Sequence, residues 1–281
     1  MISSIKETNS IKIKKSFIWL SLLLVACTPN VSLDNSDTLE LTPIVKVVTS
    51  GGFAAAYNNL IPQIETELGI VLQTEYGASS GGAIDSIPMR LENGENFDVI
   101  ILSRGSLDNL TEAGFVTSET RIDLVHSMIG MAVRAGATVP DISDVETFIQ
   151  VLMDAQSIGY SASASGTYLS TTLFPDMGLW EVLEPKSNRI QSERVASVVA
   201  RGDVEIGFQQ ISEILPIPGI IFAGAIPSEL QRITTFSAGV LKSASNPEDA
   251  LRLLEYLSSE AVAPAISESG LSPVVLENTN L

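Results

Sequence analysis

Short apolar runs alternate with stretches of helical periodicity through the first two thirds of the chain. The run IVKVVTS at 44–50 predicts a buried strand, and apolar residues spaced by three and four over 52–68 predict the helix that follows it. The further predicted strands cover 69–77, 97–103, 128–136, 157–164 and 204–211. The further predicted helices cover 81–94, 143–153, 192–202, 247–257 and 259–270, with another beginning at about residue 166. Since strand and helix alternate, we expect an α/β fold with a parallel sheet.

Capping and breaking residues set the limits of several predicted helices. Ser143 and Glu146 form the pattern of a capping box, and Asn246 stands as an N-cap before a proline. Pro88 is expected to interrupt the 81–94 helix, and Pro264 to kink the last helix. Ser50 occupies the N-cap position of the first helix. It is therefore a candidate both for capping this helix and for contacting a ligand.

The N-terminal segment is typical of a bacterial lipoprotein. Lysines precede an apolar run at 17–26, and this run is too short to span a bilayer comfortably. Leu24, Val25 and Ala26 lead directly into Cys27, the only cysteine, in the manner of a lipobox. We therefore predict a signal peptide over 1–26, lipidation of Cys27, and a polar tether over 27–43.

The charge of the expected mature chain restricts its partners. Residues 1–26 hold four lysines and one glutamate, so 12 basic and 32 acidic residues remain and the net charge becomes −20, against −17 for the whole chain. Such a surface disfavours nucleic acid and anionic lipid, so contact with a membrane is expected through the lipid anchor only. An anionic ligand would have to be held by local geometry.

Small polar residues follow four of the predicted strands. TSGG at 49–52, GASSGG at 77–82 and SASASGT at 161–167 run straight into predicted helices, and the fourth strand ends in Gln209 and Gln210. Helix N-termini present free N–H groups, here for instance at Gly51, and serine hydroxyls add donors beside them. Ligands of open α/β sheets bind beyond the carboxyl ends of the strands. The repeated pattern indicates one shared anion site, although a single such stretch is equally typical of an N-cap or a turn.

Residues 77–81, GASSG, also match the nucleophile elbow of serine hydrolases, with Ser79 as the nucleophile. A triad needs a histidine, and the one histidine, His126, lies too early in the chain and among apolar residues. Metal and nucleotide motifs are absent from the sequence, so no cofactor is expected.

Five separated motifs carry a family resemblance along nearly the whole expected mature chain. They are VVTSGGFAAAYNNLIPQIETELG, NGENFDVIILS, GTYLSTTLFPDMGLW, VVARGDVEIGFQQ and GVLKSASNPEDALRLLEYLSSEAVAPAISESGLSP. In this order they resemble the extracytoplasmic molybdate-binding proteins of ABC importers, in a branch that also resembles aconitate isomerase. The resemblance implies a type II periplasmic-binding-protein fold, in which two α/β lobes are joined by two crossovers with a ligand cleft between them. The lobes would cover 44–122 plus 236–281, and 123–235.

The resemblance also implies ligand contacts. Ser50 matches a serine after the first strand, and either Ser79 or Ser80 matches a serine after the second. Ser165 and Ser192 stand where the family supplies backbone N–H donors. Gln209 replaces a tyrosine whose hydroxyl contacts the oxyanion, and its amide offers a different set of donors and acceptors, which bears on the identity of the ligand.

Two functions remain open at this point. The first is a periplasmic, monomeric solute-binding lipoprotein that holds a small anion, a molybdate-type oxyanion or a carboxylate, for an ABC importer permease. The alternative is an isomerase that shifts a double bond in a tricarboxylate by allylic proton transfer. That reaction needs a base near a stabilised carboxylate, and Arg104 could clamp one, although an ion pair between Arg104 and Asp108 is the simpler interpretation.

Overall fold

The structure, a computed structural model, describes residues 42–274. The predicted signal peptide at 1–26, Cys27 and nearly all of the predicted tether lie outside the described residues.

The described chain folds into strands and helices that alternate through most of its length. The strands are β1 (Ile44–Ser50), β2 (Val71–Gly77), β3 (Val99–Ser103), β4 (Ile122–Ser127), β5 (Ile129–Arg134), β6 (Ile158–Ser161), β7 (Ser187–Ile190), β8 (Ile206–Gln210), β9 (Ile220–Ala225), β10 (Thr234–Val240) and β11 (Ser272–Pro273). The helices are α1 (Gly51–Leu68), α2 (Ile87–Glu92), α3 (Arg104–Glu112), α4 (Val145–Asp154), α5 (Ala164–Tyr168), α6 (Phe174–Asp176), α7 (Trp180–Leu183), α8 (Val195–Arg201), α9 (Ile211–Ile214), α10 (Pro247–Leu257) and α11 (Ala263–Glu268). Residues Leu169–Leu173 form a π-helical turn between α5 and α6.

The first sheet has the strand order β11-β4-β10-β3-β1-β2. Strand β1 pairs in parallel with β2 and β3, whereas β10 runs antiparallel to β3 and β4. Residues of β1 alternate between two apolar clusters, because Val47 packs with Phe53 and Tyr57 on one face while Val48 packs with Leu107 on the other. Helices therefore cover both faces of this sheet.

The second sheet has the order β7-β6-β8-β5-β9. Strand β6 lies parallel to β7 and β8, and β5 is antiparallel to β8 and β9. Its main core contains Phe148, Phe174 and Phe208, whose rings meet edge to face.

Both sheets contain parallel and antiparallel strands. The predicted parallel pairing is found among β1, β2 and β3 in the first sheet and among β6, β7 and β8 in the second. The sequence analysis missed β7, β9 and β11, and it also missed β4 and β10, which span 122–127 and 234–240. Strands β4 and β10 lie beside the positions where lobe boundaries were expected, at 122/123 and 235/236, and both belong to the first sheet. The division of residues between the two lobes stays a prediction.

The helix predicted over 81–94 is wrong in its first half. Helix α2 begins only at Ile87, so Pro88 stands in its first turn, where a missing N–H costs little, and does not interrupt it. Gly81 adopts a φ of 104°, and the Ser86 hydroxyl donates to the Gly81 carbonyl at 2.9 Å. This contact closes residues 81–86 into a loop.

Two other helix limits also differ from the prediction. Asp144, not Ser143, caps α4, because its carboxylate accepts from the Thr147 backbone N–H at 2.8 Å. Pro264 lies in the first turn of α11 and does not kink a longer helix, since a 3-10 turn precedes α11.

Candidate ligand cavity between the strand ends

A cavity of about 210 Å³ lies at the carboxyl ends of strands from both sheets. Its walls come from the ends of β1, β2, β6 and β8, the segments that follow them, and the segment before α8. These are the stretches in which the sequence shows small polar residues. The stretches that the sequence only suggested would lie together thus line one cavity in the fold.

Ser50 and Gly51 form the wall at the N-terminus of α1. The Ser50 side chain is 1% exposed, and its Oγ makes no hydrogen bond within the described residues. Ser50 therefore does not use its hydroxyl to cap α1, although it occupies the N-cap position. A buried hydroxyl without a partner, beside the free N–H groups of an 18-residue helix, is well suited to an anionic ligand.

The two serines that follow β2, Ser79 and Ser80, line different cavities. Ser79 lines the cavity, and its Oγ accepts from the Ser103 backbone N–H at 3.0 Å. Ser80 instead lines a neighbouring cavity of about 660 Å³. The one histidine, His126, makes no hydrogen bond to Ser79, since it is exposed on β4 with Nδ1 3.2 Å from Thr235 Oγ1. The geometry of a Ser–His dyad is absent, so the match to a nucleophile elbow is accidental.

Ser165 and Ser192 both line the cavity. Ser165 is buried at the start of α5, with its Oγ 3.1 Å from Ser161 Oγ, while Ser192 is exposed. A Cβ atom at Gly166 would overlap the Ser161 carbonyl, so this glycine allows α5 to approach β6 closely.

Arg104 does not line this cavity. It lines the neighbouring one, where Nη1 is 3.0 Å from Asp123 Oδ2 and Nε is 3.9 Å from Asp108 Oδ2. Arg194 lines the smaller cavity instead and makes no ion pair within residues 42–274. A half-buried arginine that is not engaged in a direct ion pair can receive a carboxylate of a ligand.

The sequence analysis did not identify Glu213, which lies in α9 and lines the same cavity. Glu213 is half-buried. A Cβ atom at Gly51 would overlap the Glu213 carboxyl, so this carboxyl packs directly against the first residue of α1. The signal was present in the sequence as a lone acid in the apolar run ISEIL.

Burial and nearby polar groups have opposite effects on the pKa of Glu213. Burial raises the pKa of its carboxyl from 4.5 to about 7. The positive charge of Arg194 lowers this pKa, and so do the polar groups of the Gln209 side chain and the Gln210 backbone, but these effects are smaller than that of burial. Glu213 is therefore a carboxyl that can exchange a proton near neutral pH.

Gln209 is buried, with 3% exposure. Its Oε1 accepts from the Val195 backbone N–H at 2.9 Å, at the start of α8. Its acceptor is thus engaged within the protein.

Two further properties hold for residues 42–274. They contain no group of three or more His, Cys, Asp and Glu side chains arranged to hold a metal ion. Within this range, too, no helix is both long enough and apolar enough to cross a membrane.

Solved structures of binding proteins share this fold. They include the periplasmic molybdate-binding protein of Azotobacter vinelandii, at 20% identity and a TM-score of 0.65, over 81% of this chain and 98% of that one. The substrate-binding domain of a putative molybdenum ABC transporter from Clostridium difficile matches at 20% identity and a TM-score of 0.61, over 83% of this chain and all of that one. The two sheets with their shared cavity define the type II periplasmic-binding-protein fold.

The family follows from the sequence match. Residues 45–272 match the family model described as bacterial extracellular solute-binding protein, and the chain belongs to that family. Aconitate isomerase from Pseudomonas sp is 41% identical to it over 255 residues, which are 91% of this chain and 95% of the relative. The predicted resemblance to molybdate-binding proteins, in a branch near aconitate isomerase, is confirmed.

Proposed function

We propose that the protein is an isomerase of the aconitate isomerase type, which moves the double bond of an unsaturated tricarboxylate by allylic proton transfer. The observation that carries this proposal is Glu213, a carboxyl in the cavity whose pKa burial raises to about 7. Ligand transport requires no group that exchanges a proton near neutral pH, whereas an allylic proton transfer does.

The chemistry of aconitate requires one group that can both take and return a proton. Its CH₂ lies between a carboxylate and a carbon–carbon double bond. When a base removes a CH₂ proton, the electron pair of the broken C–H bond delocalises across the three allylic carbons and onto a carboxylate. Return of a proton to the other end of the allylic unit completes the shift, and no oxidant or cofactor is consumed. A carboxyl with a pKa near the working pH suits both halves of the reaction.

Arg194 supports the same proposal. A carboxylate paired with its guanidinium would gain charge-assisted hydrogen bonds, and the developing negative charge of the allylic anion would be stabilised by the same group. Ser50 Oγ and the α1 N–H groups would receive a second carboxylate of the substrate. The similarity to aconitate isomerase over nearly the full length of both chains agrees with this arrangement.

The test is whether the purified protein converts cis-aconitate to trans-aconitate, with the conversion monitored by proton NMR. We expect turnover, and a fall of about 10²- to 10⁴-fold in kcat for Glu213→Gln, the typical contribution of a general base. Glu181→Gln is the matched control, since Glu181 is an exposed carboxylate in another short helix, α7. No conversion by the wild-type protein, under conditions where it binds aconitate, would overturn the proposal.

Transport is the second candidate, and Ser50 favours it. A buried hydroxyl without a partner at the start of α1 suits ligand binding without chemistry. In that case the protein would be a monomeric periplasmic lipoprotein, anchored through Cys27, that delivers a small anion to an ABC importer permease. A melting-temperature screen against molybdate, tungstate, sulfate, citrate and both aconitate isomers separates the two candidates. A carrier should be stabilised by one anion and leave it chemically unchanged.

A further inference from the structure

Ser212 connects two parts of the fold that lie far apart in the chain. It is the second residue of α9, and its Oγ donates to the Gly52 backbone carbonyl, in the first turn of α1, at 2.7 Å. Ser212 is 0% exposed, and Gly52 is buried as well. Helix α1 packs on the first sheet, whereas α9 directly follows β8 of the second. This hydrogen bond therefore links an element of one sheet to an element of the other.

Helix α9 depends on such contacts for its orientation. It spans only Ile211–Ile214, and a helix of one turn has little stability of its own. Ile214 packs with Ala132 and Ala196, but apolar packing has no directional preference. A hydrogen bond does have one, because it weakens steeply when its angle departs from linearity. The Ser212 bond thus fixes how α9 is oriented relative to α1.

The carbonyl that receives this bond is itself held in place. A Cβ atom at Gly52 would overlap the ring of Phe236, which is 3% exposed on β10, so the first turn of α1 lies directly against the first sheet. Ser212 therefore binds to a fixed part of the fold, and α9 is the element whose position depends on the bond.

The residue that follows Ser212 in α9 is Glu213, whose carboxyl packs against Gly51. Gly51 and Ser50 belong to the end of α1 that would receive a substrate carboxylate. Because Ser212 and Glu213 are adjacent in one turn, a change in the orientation of α9 moves the Glu213 carboxyl relative to this end of α1. A displacement of about 1 Å between a base and its substrate can lower a rate on the order of 10²-fold.

We infer that Ser212 is a positioning residue, whose hydrogen bond to the Gly52 carbonyl holds α9 against α1 and keeps the Glu213 carboxyl in register with the proposed anion-binding groups of α1. This inference rests on the proposed isomerase function. Ser212 does not line the cavity itself, so it acts through Glu213.

The experiment compares the wild-type protein with Ser212→Ala, which removes the hydroxyl without adding bulk. We expect kcat for the conversion of cis-aconitate to fall by about 10- to 100-fold, while KM changes by less than about threefold. Ser269→Ala is the matched control, since Ser269 is also buried and its Oγ donates to the Ile266 carbonyl at 2.6 Å, three residues earlier in the chain. This variant loses a comparable hydrogen bond that does not link α9 to α1, so its kcat should stay within about twofold of the wild-type value.

The double variant Ser212→Ala/Glu213→Gln shows whether Ser212 acts through Glu213. If it does, adding Ser212→Ala should change the residual kcat of Glu213→Gln by less than about twofold, because the effects of residues that act as a unit are not additive. An equal fall of kcat in both backgrounds would overturn the inference. So would a rise in KM with an unchanged kcat, or a lower melting temperature with neither kinetic constant changed.

A second measurement does not depend on activity. The pKa of the Glu213 carboxyl can be followed by carbon-13 NMR in the wild type and in Ser212→Ala, with Glu213→Gln to assign the signal. We expect a lower pKa in Ser212→Ala, closer to the ordinary value of 4.5, because a carboxyl that leaves its place beside α1 becomes more hydrated. If the wild type shows no isomerase activity but this pKa still moves, the proposed function fails and the positioning contact stands. If activity is present and neither kcat nor the pKa changes in Ser212→Ala, the inference fails alone.

Discussion

The raised pKa of Glu213 predicts a stability cost that can be measured without any substrate. In the unfolded chain this carboxyl has its usual pKa of 4.5, and in the fold burial raises the pKa to about 7. The folded state therefore binds the proton more tightly than the unfolded state does. The stabilisation that the fold gains from protonation of Glu213 is complete below about pH 4.5, and it is lost as the pH rises through about 7.

The magnitude follows from the two pKa values. At about 1.4 kcal/mol per pH unit, a shift from 4.5 to about 7 corresponds to roughly 3 kcal/mol of unfolding free energy. Most of this change, on the order of 2 to 3 kcal/mol, falls between pH 5 and pH 8. The substitution Glu213→Gln removes the titration while it keeps a side chain of the same shape.

The assay is urea unfolding of wild type, Glu213→Gln and the surface control Glu181→Gln at intervals between pH 5 and pH 8. We expect the stability of Glu213→Gln relative to wild type to rise by roughly 2 to 3 kcal/mol across this range. The other ionisable groups are shared by the two proteins and cancel in the difference. Parallel stability curves for wild type and Glu213→Gln would refute the reasoning, because Glu213 would then have the same pKa in both states.

Two further substitution pairs test the cavity and the packing beside it. Arg194→Gln should weaken trans-aconitate binding in calorimetry by about 10- to 100-fold, as expected for the loss of a charged hydrogen bond, whereas Arg104→Gln, outside this cavity, should change it less than twofold. Gly52→Ala should lower the unfolding free energy by about 1 to 3 kcal/mol, because its Cβ would overlap the buried Phe236 ring. Gly82→Ala is its control, since a Cβ there has nothing within 4 Å, and equal losses in urea unfolding would contradict the packing argument.

The elements that the sequence predicted well are those whose signal is local. Strand β1 spans Ile44–Ser50 as expected, and α1 begins one residue earlier than predicted, because apolar periodicity and a polar strand end are both visible within a few residues. Strands β4 and β10 were missed since they join the sheet by antiparallel pairing with each other and, for β10, with β3. Their stability comes from partners far away in the chain, which no local pattern shows.

The candidate site shows the same limit at the level of side chains. The small polar residues at strand ends were readable, because their position follows from strand–helix alternation. The arginine of the site was not readable: the sequence analysis considered only Arg104, and the tertiary fold shows that Arg194 lines the cavity instead. Glu213 was harder still, because its raised pKa depends on burial among residues such as Gly51, more than 150 positions earlier in the chain.

The chemistry proposed for this protein requires few changes to a cleft that binds anions. Serine hydroxyls and helix N-termini can hold a carboxylate without adding a net charge, so the proposed anion site does not depend on the overall charge of a strongly acidic protein. One carboxyl, Glu213, would then supply the proton transfer, because it lines the same cavity and burial raises its pKa to about 7.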